Sequence, residues 1–250
     1  RALKKYFSKT KFDLVIYSTP PITFYKVIDF IKKRDNASSY LLLKDIFPQN
    51  AVDMSLFKRN GFLHKFFKNK ETKLYTISDH IGCLSQANID YLIKHNPTLD
   101  FNKLEINPNT IDPFFIKYST AEKKRIKLKY EIPVDRKIFV YGGNLGKPQG
   151  LDFLLQAIIE TERTDVYFLI IGTGTEYNRI KKWLEKIKPP NAGLISFLPK
   201  TDYDKLLAAC DVGLIFLDIN FTIPNYPSRL LPYLEMKMPV IAATDTNTDI

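Results

Sequence analysis

Short runs of β-branched, aromatic and aliphatic residues recur along this chain with room for one helix between each pair, and that alternation narrows the fold more than any other feature. FDLVIYS (12–18), SYLLLKD (39–45), IGCLS (81–85) and KLEINP (103–108) form a first set. KIFVYGG (137–143), VYFLIIG (166–172), GLISFL (193–198), DVGLIFL (211–217) and PVIAAT (239–244) form a second. Continuous apolar strands joined by helical stretches predict parallel sheets covered on both faces, which places the chain in the α/β class. The two sets flank a segment punctuated by Pro108, Pro113 and Pro133, with one charged helix, AEKKRIKLKY, capped by Ser119 or Thr120. The expectation is two doubly wound lobes, 1–110 and 111–250, hinged at about 107–118 and facing each other across a cleft. Ligands of such folds sit beyond the carboxyl ends of the strands, so chemistry is sought there.

Composition bounds the function. No apolar run approaches the roughly 18 residues that a membrane-spanning helix needs. Cys83 and Cys210 form neither a disulfide framework nor a metal knuckle, and a reducing, cytoplasmic setting is expected. A net charge of +10 predicts an anionic partner. Up to Asp112 there are 18 Lys and Arg against 11 Asp and Glu, so the surplus is mainly N-terminal. No nucleic-acid module appears, and nucleic acid is not an expected partner. The opening RALKKYFSKTKFDLV has no initial Met and no signal-peptide core, which reads as a chain incomplete at its start.

The most informative stretch is KIFVYGG running through NLGKPQG into LDFLLQAIIE. Gly142, Gly143, Gly146 and Gly150 let backbone approach a ligand, and the helix that follows offers unpaired N–H groups and about half a positive charge to an anion. Lys147 adds a full charge. A purely structural βα turn is the competing reading, and the loop is neither a Walker loop nor GxGxxG. In FLIIGTGTEYNRI, Gly172 and Gly174 end a strand, with Thr173 and Thr175 as either ligand contacts or helix caps. In IPNYPSRLLPYLEMKMPVIAA, Ser228 reads as an N-cap and places Arg229 in the first helical turn, where the dipole disfavours a cation. A bound diphosphate would explain Arg229, and so would a salt bridge to Glu235.

YGGNLGKPQGLDFLLQAI, FLIIGTGTE, ACDVGLIFL and PSRLLPYLEMKMPVIA together resemble glycosyltransferase family 4, and within it the sugar transferases of bacterial capsule and lipopolysaccharide assembly. The resemblance spans nearly the whole chain, with DIFPQNAVD, LYTISDHIGCLSQANIDYL and NPNTID similar to the acceptor lobe and the crossing between lobes. It implies a GT-B fold of two Rossmann-like lobes, here without the first strand and the closing helices. It also implies a retaining hexosyl or N-acetylhexosaminyl transferase that uses a nucleotide diphosphate sugar and no obligatory metal or other cofactor. The implied acceptor is a glycan or polyprenyl-linked sugar used in cell-surface polysaccharide synthesis. By motif position Gly143, Asn144, Lys147, Gln149, Gly172, Thr173, Gly174 and Ser228 lie near the donor, and Arg229 meets the diphosphate. Charge growing on the leaving diphosphate would be met by Lys147, Arg229 and helix N-termini as an oxocarbenium-like sugar forms.

The family's paired glutamates, eight positions apart, fall at Pro224 and Pro232, and Glu235 is expected on a different helical face. Their absence keeps open a nucleotide-sugar epimerase or a catalytically silent protein of the same fold. A non-enzymatic module that binds anions is the remaining alternative.

Asp45 ends the SYLLLKD strand just before Phe47 and Pro48, as a partner or weak base for an acceptor hydroxyl or as a plain Asx turn. His64, His80 and His95 share no metal-ligand spacing, and only His80, with Ser85 and Asn88 nearby, is placed to serve a site. Residues 55–70 interleave Phe57, Phe62, Leu63, Phe66 and Phe67 with Lys58, Arg59, Lys65, Lys68 and Lys70. This segment is either an amphipathic face for an anionic membrane, at the inner surface of the cell membrane, or a core-facing helix with a solvated basic side.

Overall fold

A computed structural model describes residues 5–250. The first four residues of the opening segment lie outside the described residues. Among the described residues two compact units emerge, one of residues 5–109, 222–226 and 247–250, the other of 110–221 and 227–246.

Unit 1 carries a parallel sheet in the order β1-β2-β3-β4, with β1 Leu14–Ser18, β2 Ser38–Leu43, β3 His80–Cys83 and β4 Leu104–Ile106. Its helices are α1 (Tyr25–Asp35), α2 (Gln49–Asp53), α3 (Phe62–Ile77) and α4 (Gln86–His95). Leu41, Leu74, Ile81 and Leu92 are fully buried between sheet and helices. Ser85 caps α4 by accepting from Asn88 N–H, and the Asn88 amide donates to the Pro224 carbonyl at 2.8 Å, so Asn88 helps hold the 222–226 segment on unit 1. His80 is exposed and stacks on Tyr40.

The Phe and Lys segment divides. Phe67 packs with Phe47 and Phe57 at centroid distances of 5.1 and 5.7 Å and belongs to the core. Lys68 pairs with the buried Glu71, while Lys70 lies over Phe66 and Tyr25. Leu56, Phe62, Leu63 and Phe66 remain exposed, with Lys58, Arg59 and Lys65 exposed beside them in the chain.

Unit 2 holds α5 (Thr120–Lys129), β5 (Lys137–Gly142), α6 (Leu151–Glu160), β6 (Val166–Ile171), α7 (Tyr177–Ile187), β7 (Ala192–Ile195), α8 (Lys200–Leu207), β8 (Val212–Phe216), α9 (Leu230–Glu235) and β9 (Val240–Ala243). A full capping box built by Ser119 and Glu122 starts α5, which settles that cap on Ser119. All sheet pairings are parallel, in the order β7-β6-β5-β8-β9. The order therefore runs outward in both directions from β5 and β8, the doubly wound pattern, and the reversal between them marks the switch point where ligands bind. Both lobes are Rossmann-like.

Beyond Val140 and Gly213 strands β5 and β8 no longer pair. The hydroxyl of the fully buried Tyr233 fills that gap: it accepts Gly142 N–H at 3.1 Å and lies 3.1 and 3.2 Å from the Val140 and Leu214 carbonyls. Burial raises this phenol to about 12, so it keeps the proton it donates. Gly213 makes the room, since a β-carbon there would lie 2.5 Å from the Tyr233 ring.

Candidate functional site at the carboxyl ends of unit 2

At the carboxyl ends of β5, β6 and β7 lies a pocket of about 780 Å³, within the usual range for small-molecule sites. Gly142 to Asn144 come to it from β5, Gly172 and Thr173 from β6, and Ser228 and Arg229 from the approach to α9. Six of the residues that motif position puts at the donor thus line one cavity: Gly143, Asn144, Gly172, Thr173, Ser228 and Arg229.

The two glycine loops lock together by backbone. Gly143 N–H donates to the Ile171 carbonyl at 2.9 Å, Leu145 N–H to Thr173 at 2.8 Å, and Glu176 N–H to Leu145 at 2.9 Å. Such close approach excludes side chains: a β-carbon on Gly172, where φ is +156°, would overlap the Gly143 carbonyl oxygen. The chain between Gly172 and α7 is spent on these contacts, so the helix starts only at Tyr177, with Glu176 in the cap position and no side-chain cap. Thr173 and Thr175 are not caps. Gly174 is outside the pocket lining and packs on Leu145 and Asn144.

Ser228 is not the N-cap of α9 either. Leu230 and Leu231 N–H groups bond to the carbonyls of Pro227 and Ser228, a turn that delays the helix and puts Arg229 itself at the cap position. No salt bridge joins Arg229 to Glu235. The guanidinium lies over the Tyr141 ring at 4.5 Å and donates through Nη2 to Gln149 Oε1, which brings Gln149 to the site behind Arg229. Its Nη1 is buried and has no hydrogen-bond partner among the described residues. Gly143 faces this group, with the position of an added β-carbon 3.7 Å from Nε. A buried, charged donor without an acceptor is costly, and its natural complement is an anionic oxygen.

Lys147 stands apart: it opens a short 3-10 turn, is exposed, and is absent from the pocket lining. Gly150 follows in the left-handed region at φ +57°, which switches that turn into α6. Asp45 belongs to unit 1. There the N–H groups of Lys44 and Asp45 both donate to Thr19 Oγ1, the residue is exposed, and partial desolvation of its carboxyl raises its pKa. Glu235, expected on another face from Pro232, lines the same pocket with it, because residues three apart on a helix share a face. Tyr203, Phe197 and Lys200 also line the pocket and carried no motif in the sequence. Among the described residues no three His, Cys, Asp or Glu side chains gather as a metal-binding group, and no helix is long and apolar enough to cross a membrane.

With this geometry in place, the family described as Glycosyl transferases group 1 matches residues 122–247, just over half of the chain. The chain belongs to that family. "Probable glycosyltransferase WbjE" of Pseudomonas aeruginosa is 22% identical over 246 residues, covering 95% of this chain and 59% of that protein. Among solved structures, Anabaena Alr3699/HepE in complex with UDP superposes with a TM-score of 0.69 at 14% identity, over 91% of this chain and 59% of that one. WaaG, a glycosyltransferase involved in lipopolysaccharide biosynthesis, gives 0.61 at 16% identity, over 86% and 62%. These glycosyltransferase structures share the GT-B fold, and the chain spans about three fifths of the length of each of these relatives.

Proposed function

We propose that the unit 2 pocket binds the diphosphate of a nucleotide diphosphate sugar and that the protein transfers the sugar, with retention and without an obligatory metal, to a glycan or polyprenyl-linked acceptor. The observation that carries this reading is the buried, unpartnered Nη1 of Arg229 at the switch point, facing Gly143. The UDP held by HepE supports it. Arg229 takes the charge of the leaving diphosphate directly, and Lys147 adds a screened, longer-range attraction. Asp45, with its raised pKa, is assigned to the acceptor hydroxyl as hydrogen-bond partner or weak base. The donated group is a hexosyl or N-acetylhexosaminyl unit for cell-surface polysaccharide. The work is done at the cytoplasmic face of the cell membrane, where exposed Leu56, Phe62 and Leu63 with Lys58, Arg59 and Lys65 rest on anionic lipid.

The test is to incubate the chain with nucleotide diphosphate sugars and lipid-linked acceptors in acidic or neutral vesicles, and to measure free nucleotide. Release is expected only when acceptor is present. A change at the sugar without acceptor would indicate an epimerase instead. Reversing Lys58, Arg59 and Lys65 to Glu removes about 1 kcal/mol of surface attraction per residue and adds repulsion from the anionic lipid. Release from acidic vesicles should therefore fall at low salt, while transfer to a soluble acceptor is unchanged. Equal loss in both settings would refute the membrane assignment.

A further inference from the structure

Arg229 and Tyr233 leave α9 on one face. They are four residues apart, and Arg229 already has helical backbone angles (φ −66°, ψ −17°), so one turn stacks the two side chains. Both reach consecutive residues at the end of β5. The guanidinium lies over the Tyr141 ring at 4.5 Å and beside Gly143, and the Tyr233 hydroxyl accepts Gly142 N–H at 3.1 Å. The two contacts differ in how firmly they hold. The Tyr233 hydroxyl is fully buried and is spent on β5 and β8, with the Val140 and Leu214 carbonyls at 3.1 and 3.2 Å as acceptors for its one proton. Arg229 keeps a buried N–H in reserve.

The helix cannot fix Arg229 by itself. It is six residues long and has no side-chain cap, and so short a helix has little stability of its own. A buried donor without an acceptor adds a cost that favours withdrawal of the guanidinium into water. A group outside the pocket lining must therefore hold α9 in place, and Tyr233 is absent from that lining. We infer that Tyr233 is a positioning residue: its hydroxyl pins α9 to the ends of β5 and β8 and so holds the Arg229 donor beside Gly143 for the diphosphate. The hydroxyl touches no ligand and acts only through Arg229. Tyr233→Phe removes one oxygen atom, leaves Gly142 N–H without its acceptor, and frees the helix to shift. This rests on the proposed donor site and adds to it the residue that aims its charge.

The experiment is calorimetry with uridine, adenosine and guanosine diphosphates and the bare nucleosides, on the parent chain, Tyr233→Phe, Arg229→Ala and the double variant. For the best-binding base Tyr233→Phe should bind the diphosphate about threefold to tenfold more weakly, the range of one hydrogen bond, with the nucleoside unchanged. The double variant should bind no more weakly than Arg229→Ala alone, because residues that act through one contact do not add. Gly213→Ala gives a second route. Its β-carbon would lie 2.5 Å from the Tyr233 ring, so the ring is displaced while the hydroxyl is kept, and the same selective loss is expected. Urea unfolding of each variant establishes that the protein titrated is folded. Equal losses for diphosphate and nucleoside, additive losses in the double variant, or unchanged affinity in Tyr233→Phe would overturn the assignment. Binding of no nucleoside diphosphate by the parent would overturn the donor site itself, and this inference with it.

Discussion

Arg229→Ala is expected to weaken nucleotide diphosphate binding by about 1.5–3 kcal/mol, or about 10- to 150-fold, while leaving affinity for the bare nucleoside unchanged. The guanidinium already spends one face on Tyr141 and one N–H on Gln149, which fixes its orientation without satisfying the buried Nη1. A phosphate oxygen there gains a charge-assisted bond to a donor that is desolvated in advance. Arg229→Lys should recover only part of the loss, because an ammonium keeps the charge but cannot hold Gln149 and a phosphate with one planar fork. Lys147→Ala should cost much less, since the residue is exposed and outside the pocket lining. Equilibrium titration with a nucleoside and its diphosphate separates these effects. Equal losses for both ligands in Arg229→Ala would mean that the arginine only supports the fold.

The second large effect is on stability. Gly172→Ala should destabilise unit 2 by about 2–5 kcal/mol, because the new β-carbon overlaps the Gly143 carbonyl oxygen at a backbone angle L-residues rarely adopt. The Gly143 carbonyl cannot yield cheaply, since that loop is tied to its neighbour through Gly143 and Leu145 N–H groups. Gly146→Ala is the control. There φ is −111°, and the nearest obstacle, at 3.0 Å, is the end of the Asn144 side chain, which can turn aside. Urea unfolding of the three proteins should show a clear loss of midpoint for Gly172→Ala and a change below about 1 kcal/mol for Gly146→Ala. Comparable midpoints for all three would show that the two loops are not locked as described.

The strand pattern was legible because parallel strands buried on both faces leave continuous apolar runs, and DVGLIFL and VYFLIIG lie on β8 and β6. The glycine loops were legible for a similar reason, since backbone contact at Gly172 admits no other residue. Helix starts were less so. Ser228, Thr173 and Thr175 have cap chemistry, but the backbone N–H groups at both helix starts find carbonyls one turn earlier, and local sequence does not report that choice. Partners distant in sequence were hidden altogether: Gln149 and Tyr141 reach Arg229 from about 80 residues away, and Tyr233 bridges β5 to β8 through a hydroxyl that reads in sequence as one more core aromatic. The Phe and Lys segment could not be resolved from composition, because Phe67 and Phe62 are equally apolar and only packing separates the ring set against the core from the exposed one.

The most direct test of the central claim is a crystal structure of the chain grown with a nucleoside diphosphate and its sugar conjugate. Difference density for the diphosphate is predicted within hydrogen-bonding distance of Arg229 Nη1 and beside Gly143. A nucleotide bound elsewhere, or one whose phosphates point away from Arg229, would contradict it.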